Sequence, residues 1–155
     1  MVPSPPTSPA DTGHRAPSDG DLDVDVDRRL WPPPEGWPVR VTTSSRFGRG
    51  LVTTRAVRAG EVLEACALLV LPRRAEAAVR SWGYVFDVSG RSAVASGVVS
   101  FVNHSYRPNA RYDVDELAGL VELSALVDLA PGAEVLVNYN GDPDGDGPLW
   151  FDVAG

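Results

Sequence analysis

Apolar positions along this chain come in short runs that alternate with polar ones. Each run is closed by glycine, proline, asparagine or aspartate, and that period of two predicts strands. Val39–Thr43 and Leu51–Thr54 alternate or carry β-branched residues on either side of a glycine loop. Glu61–Leu71 is a longer apolar run that stops at Pro72. Arg73–Trp82, rich in alanine with spaced charges, is the only stretch with helical character. Tyr84–Val88, Ser92–Ala95, Val98–Asn103, Ala110–Val114, Leu120–Ala125 and Glu134–Asn138 follow as short strands. The expected fold class is mainly β, with one or two short helices.

Upstream the pattern fails. Pro3-Ser4-Pro5-Pro6-Thr7-Ser8-Pro9 has nothing to bury, and Asp21-Leu22-Asp23-Val24-Asp25-Val26-Asp27 would align like charges along a strand. The expected organisation is a disordered Pro/Asp-rich tail over 1–36, one domain over 37–141 and a closing segment over 142–155. Trp31 and Trp37, set among prolines, suit a strap docking back onto the domain. Ala56-Val57-Arg58-Ala59-Gly60-Glu61-Val62-Leu63 echoes Leu129-Ala130-Pro131-Gly132-Ala133-Glu134-Val135-Leu136. Both read as a turn through glycine into a strand opened by glutamate, and a single recurrence makes a shared turn, not a solenoid.

Composition narrows the function classes. A chain of 155 residues holds one ordinary domain, and 15 glycines with 14 prolines argue for many turns. A net charge of −7 argues against bulk nucleic-acid or anionic-membrane binding, which need a basic face. From Asp113 to Gly155 there are ten acidic residues and no arginine. A solvated surface is the plain reading of that run; a rim that attracts a basic partner is the sharper one. Lys, Ile and Gln are absent, which GC-rich coding explains. The single Cys66 excludes an internal disulfide and a cysteine-rich zinc cluster, and its apolar neighbours predict a small buried residue. No run approaches the ~18 apolar residues of a membrane span. No secretion signal is evident, so a cytoplasmic location is expected.

Three clusters carry candidate chemistry. Gly48-Arg49-Gly50 could bring backbone close to a ligand, although tight turns produce this spacing constantly. Asn103-His104-Ser105-Tyr106-Arg107-Pro108-Asn109 sets polar side chains between two strands, where they could also satisfy an irregular turn. Gly132-Ala133-Glu134 leads a strand into Asn138-Tyr139-Asn140-Gly141, which could simply end in a turn.

Taken in this order, the clusters closely resemble the SET domain of protein-lysine methyltransferases. The family's glycine loop is matched by Gly48-Arg49-Gly50 and its Ala-Gly-Glu turn by Ala59-Gly60-Glu61. Its Asn-His-Ser-x-x-Pro-Asn segment is matched by Asn103-His104-Ser105 with Pro108-Asn109, and its final Gly-x-Glu strand by Gly132-Ala133-Glu134 with Asn138-Tyr139. The resemblance covers about Val39 to Phe151. It implies a β-clip type fold with a C-terminal pseudoknot and S-adenosyl-L-methionine as cofactor, held by Gly48, Arg49, Gly50, Asn103, His104 and Tyr139. It implies Tyr139 as the catalytic residue, its hydroxyl beside the transferring methyl, and a lysine on a basic protein or peptide as substrate. No metal is implied. Analogy with compact family members also allows a homodimer.

Tyr84, Trp150 and Phe151 are candidate walls of the lysine channel, although aromatics equally fill ordinary cores. Two further channel positions depart from the family pattern. Tyr106 stands where many members have cysteine. Val137 stands two before the tyrosine, where many have Phe or Tyr, and so leaves room for more than one methyl. A post-SET cysteine cluster is missing, and Leu149-Trp150-Phe151 is the substitute cover. The competing reading within the fold is a non-catalytic SET-like module that binds S-adenosylmethionine or a peptide. Asp142-Pro143-Asp144-Gly145-Asp146-Gly147 opens like an EF-hand calcium loop, but Val153 holds the position where a bidentate glutamate belongs.

Overall fold

The computed structural model describes residues 35–44, 48–80 and 85–149. Most of the expected tail, including Trp31, lies outside them. The chain forms β1 (Val39–Ser44), β2 (Gly48–Thr53), β3 (Val62–Val70), α1 (Arg73–Arg80), β4 (Phe86–Val88), β5 (Arg91–Ala95), a 3₁₀ turn (Val98–Phe101), β6 (Asn103–His104), β7 (Ala110–Asp115), β8 (Leu120–Ala125) and β9 (Glu134–Val137). The mainly β expectation holds. No described helix is long and apolar enough to cross a membrane.

The strands make two sheets, ordered β1-β2-β9-β6 and β4-β5-β3-β8-β7. Their shared core is aliphatic: Val39, Leu51, Leu63, Val121, Leu123, Val135 and Val137 are each at most 2% exposed. In β8 and β9 a period of two sends one face of the strand inward, whereas in β3 a bulge between Val62 and Glu64 buries the adjacent Leu63 and Glu64. The aromatics Trp37, Phe86, Phe101, Tyr112 and Tyr139 border this core and are only partly buried. Cys66, expected to be buried, is half-buried against the same core. Burial, and after it the Glu64 carboxylate, push its thiol pKa up.

The two echoing segments are one turn used twice. Glu61 N–H reaches Arg58 O at 3.1 Å and Ala133 N–H reaches Ala130 O at 3.1 Å. Gly60 (φ 81°) and Gly132 (φ 80°) take the third position, where positive φ is required. The turns are also joined to each other, because Val57 and Leu129 exchange both backbone hydrogen bonds at 3.0 and 2.9 Å.

Two sequence expectations are corrected. Gly48-Arg49-Gly50 is not a loop but the opening of β2, since the β1–β2 register runs from Val39↔Thr53 to Ser44↔Gly48. Val98–Asn103 is not a strand: Val98–Phe101 winds into a 3₁₀ turn and only Asn103 and His104 pair. The reason is Glu64, 7% exposed on β3. Its carboxylate accepts the N–H groups of Val98 (3.0 Å) and Val99 (2.6 Å), donors that a sheet ladder would otherwise claim. Gly97 makes room for it, since a Cβ there would stand 2.4 Å from Glu64 Oε1.

The five-stranded sheet curls strongly. β4 and β7 are its opposite edges and do not pair with each other. Yet the rings of Phe86 and Tyr112 meet edge to face at 5.3 Å. Ser89, after β4, likewise hydrogen-bonds Glu116, after β7. The curl leaves a cleft between two free strand edges.

Replacing Glu64 by alanine strands two amide donors, one of them buried, and is expected to cost about 2–3 kcal/mol, read as a lower urea midpoint. Glu64→Gln, which keeps one acceptor oxygen, is expected to lose less.

Candidate active site

Residues 103–109 are bound to β9 by an unusual density of hydrogen bonds. β6 runs parallel to β9, with Asn103 opposite Leu136 and His104 opposite Val137. This is the pairing on which the expected pseudoknot depends. Ser105 N–H continues it to Val137 O at 2.9 Å. Asn109 then acts as a side-chain strand: its Nδ2 donates to Glu134 O (2.8 Å), and its Oδ1 accepts from Leu136 N–H (2.8 Å). An asparagine amide presents the same donor and acceptor as a peptide, so it can continue a ladder where the backbone turns away.

Tyr139 lies just beyond β9 and is fixed at both ends. Its backbone N–H donates to His104 Nδ1 at 3.1 Å, and its hydroxyl donates to Val102 O at 2.6 Å. Because Nδ1 accepts, His104 is the neutral imidazole with its proton on Nε2. That Nε2 is buried without a hydrogen-bond partner. The imidazole packs edge to face on Tyr106 at 4.5 Å and tilted against Tyr139 at 5.3 Å. Burial holds its pKa below the ordinary value.

On the other side of β9, Asn103 Nδ2 donates to Glu134 Oε1 at 3.0 Å. β2 crosses this pair closely: a Cβ on Gly50 would stand 2.7 Å from Asn103 Nδ2 and 3.0 Å from Glu134 Oε1. A Cβ there would make the Asn103 amide shift. Gly48 and Arg49 are exposed, and the Arg49 guanidinium lies over the Phe101 ring at 5.6 Å.

A cavity of about 600 Å³ occupies the cleft between β4 and β7. Val85, Phe86, Tyr112 and Val114 give it apolar wall, Asp87 and Asp113 add carboxylates, and Tyr139 lies on its border. Ser92 also lines it, with its Oγ buried and unpartnered. Tyr112 donates weakly to Tyr139 O at 3.4 Å, and burial pushes its phenol pKa up, so it stays a donor. Among the described residues no three His, Cys, Asp or Glu side chains gather to hold a metal. In the aspartate-rich loop, Gly145 O accepts from Asn138, while Gly147 O accepts from Asn140 and Tyr106.

The structure thus brings Gly50, Asn103, His104 and Tyr139 together around β9 and sets Tyr139 at a cavity. Tyr106 lies on the His104 side, 43% exposed, and Val137 is fully buried in the core. Neither is part of the cavity wall. Tyr84, Trp150 and Phe151 lie outside the described residues. Sequence reasoning passed over Phe86, Ser92 and Tyr112. Phe86 carried a signal, since it stands two residues from Tyr84 and so shares its face in an extended strand. Ser92 and Tyr112 carried none, because the curl alone sets them at the cleft.

A sequence model of the SET domain matches residues 48–140, more than half of the chain. The crystal structure of a Plasmodium falciparum protein, named as a candidate histone methyltransferase, superposes with a TM-score of 0.53 at 19% identity. The match covers 66% of this chain and 92% of that one, a likeness of fold. No curated protein sequence matches the chain.

The neutral His104 makes stability depend on pH. Its folded pKa is depressed, so as pH falls the unfolded chain takes up a proton before the folded one does. The contribution is intact above the ordinary histidine value of about 6.5 and is lost as pH drops from there to the depressed folded value. Urea denaturation from about pH 7.5 to about pH 5 is expected to show this loss. His104→Asn, whose amide oxygen can accept the same Tyr139 N–H without titrating, is expected to flatten it.

Proposed function

The chain belongs to the SET-domain family, whose members are methyltransferases, and on that premise we propose that it is an S-adenosylmethionine-dependent protein-lysine N-methyltransferase. The acceptor in this reading is a lysine on a basic protein or peptide. The observation that carries the proposal is Tyr139 itself, a residue that borders the cavity and whose hydroxyl is fixed on Val102 O at 2.6 Å.

The residues present fit the cofactor on one observation: with no Cβ at Gly50, β2 lies against the Asn103 amide next to the exposed Gly48 and Arg49. Gly48, Arg49, Gly50, Asn103 and His104 would hold it. S-adenosylmethionine, when bound, supplies a sulfonium methyl group that a neutral amine can take by in-line displacement.

The chain's own residues would do the rest. Free lysine has a pKa of about 10.4, so the amine must lose its proton before it can attack. Arg111 is paired with Asp113 and the Gly90 N–H with Asp87, which limits the pull of these carboxylates on an ammonium. The apolar wall of Val85, Phe86, Tyr112 and Val114 disfavours the ammonium form. The Tyr139 hydroxyl directs its proton at Val102 O, which leaves its lone pairs to accept from the amine or the methyl group. Its double anchorage fixes that acceptor before the substrate arrives, so little reorganisation is needed at transfer.

Tritium transfer from labelled S-adenosylmethionine into a panel of basic proteins tests the proposal. Tyr139→Phe is expected to lower the rate by about 10²-fold while calorimetric cofactor affinity is unchanged. Cofactor binding with no transfer to any protein would favour the binding-only module instead. Gly50→Ala must displace Asn103 and is expected to weaken cofactor binding about tenfold.

A further inference from the structure

Ser89 is the one described residue other than glycine with positive φ, at 49°. With Gly90 (φ 73°) it forms the two-residue turn of the β4–β5 hairpin, across which Val88 faces Arg91. Such turns need positive φ at both central residues, which asparagine or glycine adopts more readily than serine. What serine adds is a bond: its Oγ donates to Glu116 Oε2, and its backbone N–H donates to Glu116 Oε1 at 3.1 Å. Glu116 belongs to the turn between β7 and β8. One carboxylate therefore ties together the tips of two hairpins that lie on opposite edges of the curled sheet.

The clasp stands at the end of the cavity. Asp87 and Val114 line the cleft, and each is two residues inward from a clasped tip along its own strand. With the Phe86–Tyr112 ring contact, the clasp spans the gap between β4 and β7. No backbone pairing joins those edges, so the clasp and the ring contact adjust directly a separation that the twist of the strands between them sets broadly.

We infer that Glu116 and Ser89 are positioning residues for the protein substrate: by holding the two free edge strands together they set the width of the cleft that the lysine enters. The inference rests on the methyltransferase reading and extends it, since neither residue is part of the cavity wall. Both are exposed, so water competes for each bond and the effect on global stability is small.

The test is steady-state methyl transfer by the full chain to a lysine-rich histone fraction. Glu116→Ala, Glu116→Gln, Ser89→Gly and the Glu116→Ala/Ser89→Gly double variant are compared with wild type. Glu116→Ala is expected to raise KM for the protein about threefold to tenfold, with kcat, calorimetric cofactor affinity and Tm unchanged. Glu116→Gln keeps one acceptor, and Ser89→Gly keeps the backbone donor and relaxes the turn, so each gives a smaller rise. The double variant is expected to match Glu116→Ala, because both residues act through one clasp. An unchanged KM in Glu116→Ala overturns the inference, as does a rise in KM accompanied by losses of both kcat and cofactor affinity. If the wild-type chain methylates nothing, the functional reading fails separately, and amide hydrogen exchange decides whether the clasp holds the edges. Faster exchange over 86–88 and 112–115 in Glu116→Ala than in wild type supports the clasp, and equal exchange overturns it.

Discussion

The hydrogen bonds between residues 103–109 and β9 hold the site together, and most of the architecture serves to place them. They join segments about thirty residues apart through a two-residue parallel pairing that could not stand alone. The Asn109 side chain extends that pairing by two further bonds to β9. Once the segments are locked, Asn103 meets Glu134, and His104 meets the Tyr139 amide. Tyr139 meets Val102 in the same way. β2 then packs on β9 through Leu51↔Val135 and Val52↔Glu134, which carries Gly50 to Asn103.

A division of labour follows between the core and the site. The core is mostly valine and leucine with a few alanines, and the stiff or well-defined side chains of the larger two pack without polar atoms to satisfy. The aromatics stand at its border, where the Phe86–Tyr112 contact bridges the sheet edges and Tyr139 reaches the cavity. Buried polar groups are mostly paired, as burial requires. Glu64 bonds two amides, whereas His104 Nε2 and Ser92 Oγ do not find partners. Both exceptions lie where the site is built: His104 against Tyr139, and Ser92 in the cavity wall.

The curl of the second sheet joins fold to function. Five strands with a right-handed twist bring their ends round until β4 and β7 face each other. Because no ladder closes the ring, a cleft remains with one wall on each edge strand.

The amino-acid sequence by itself determined the strand content, the repeated glycine turn and the motif residues, because each depends on neighbours within a few positions. Alternation fixed which face of β7 or β8 turns inward, and glycine at positions 60 and 132 fixed where the chain reverses. The sequence pattern misread Gly48–Gly50 as a loop and Val98–Asn103 as a strand. The first error arose because the hairpin register extends the strand, the second because Glu64, more than thirty residues upstream, captures the amides of Val98 and Val99. Only the tertiary structure set Phe86, Ser92 and Tyr112 around one cavity and tied Ser89 to Glu116. Those contacts join strands at opposite edges of a sheet, and the distance between such edges is decided by twist and packing summed over every strand between them, which no local pattern records.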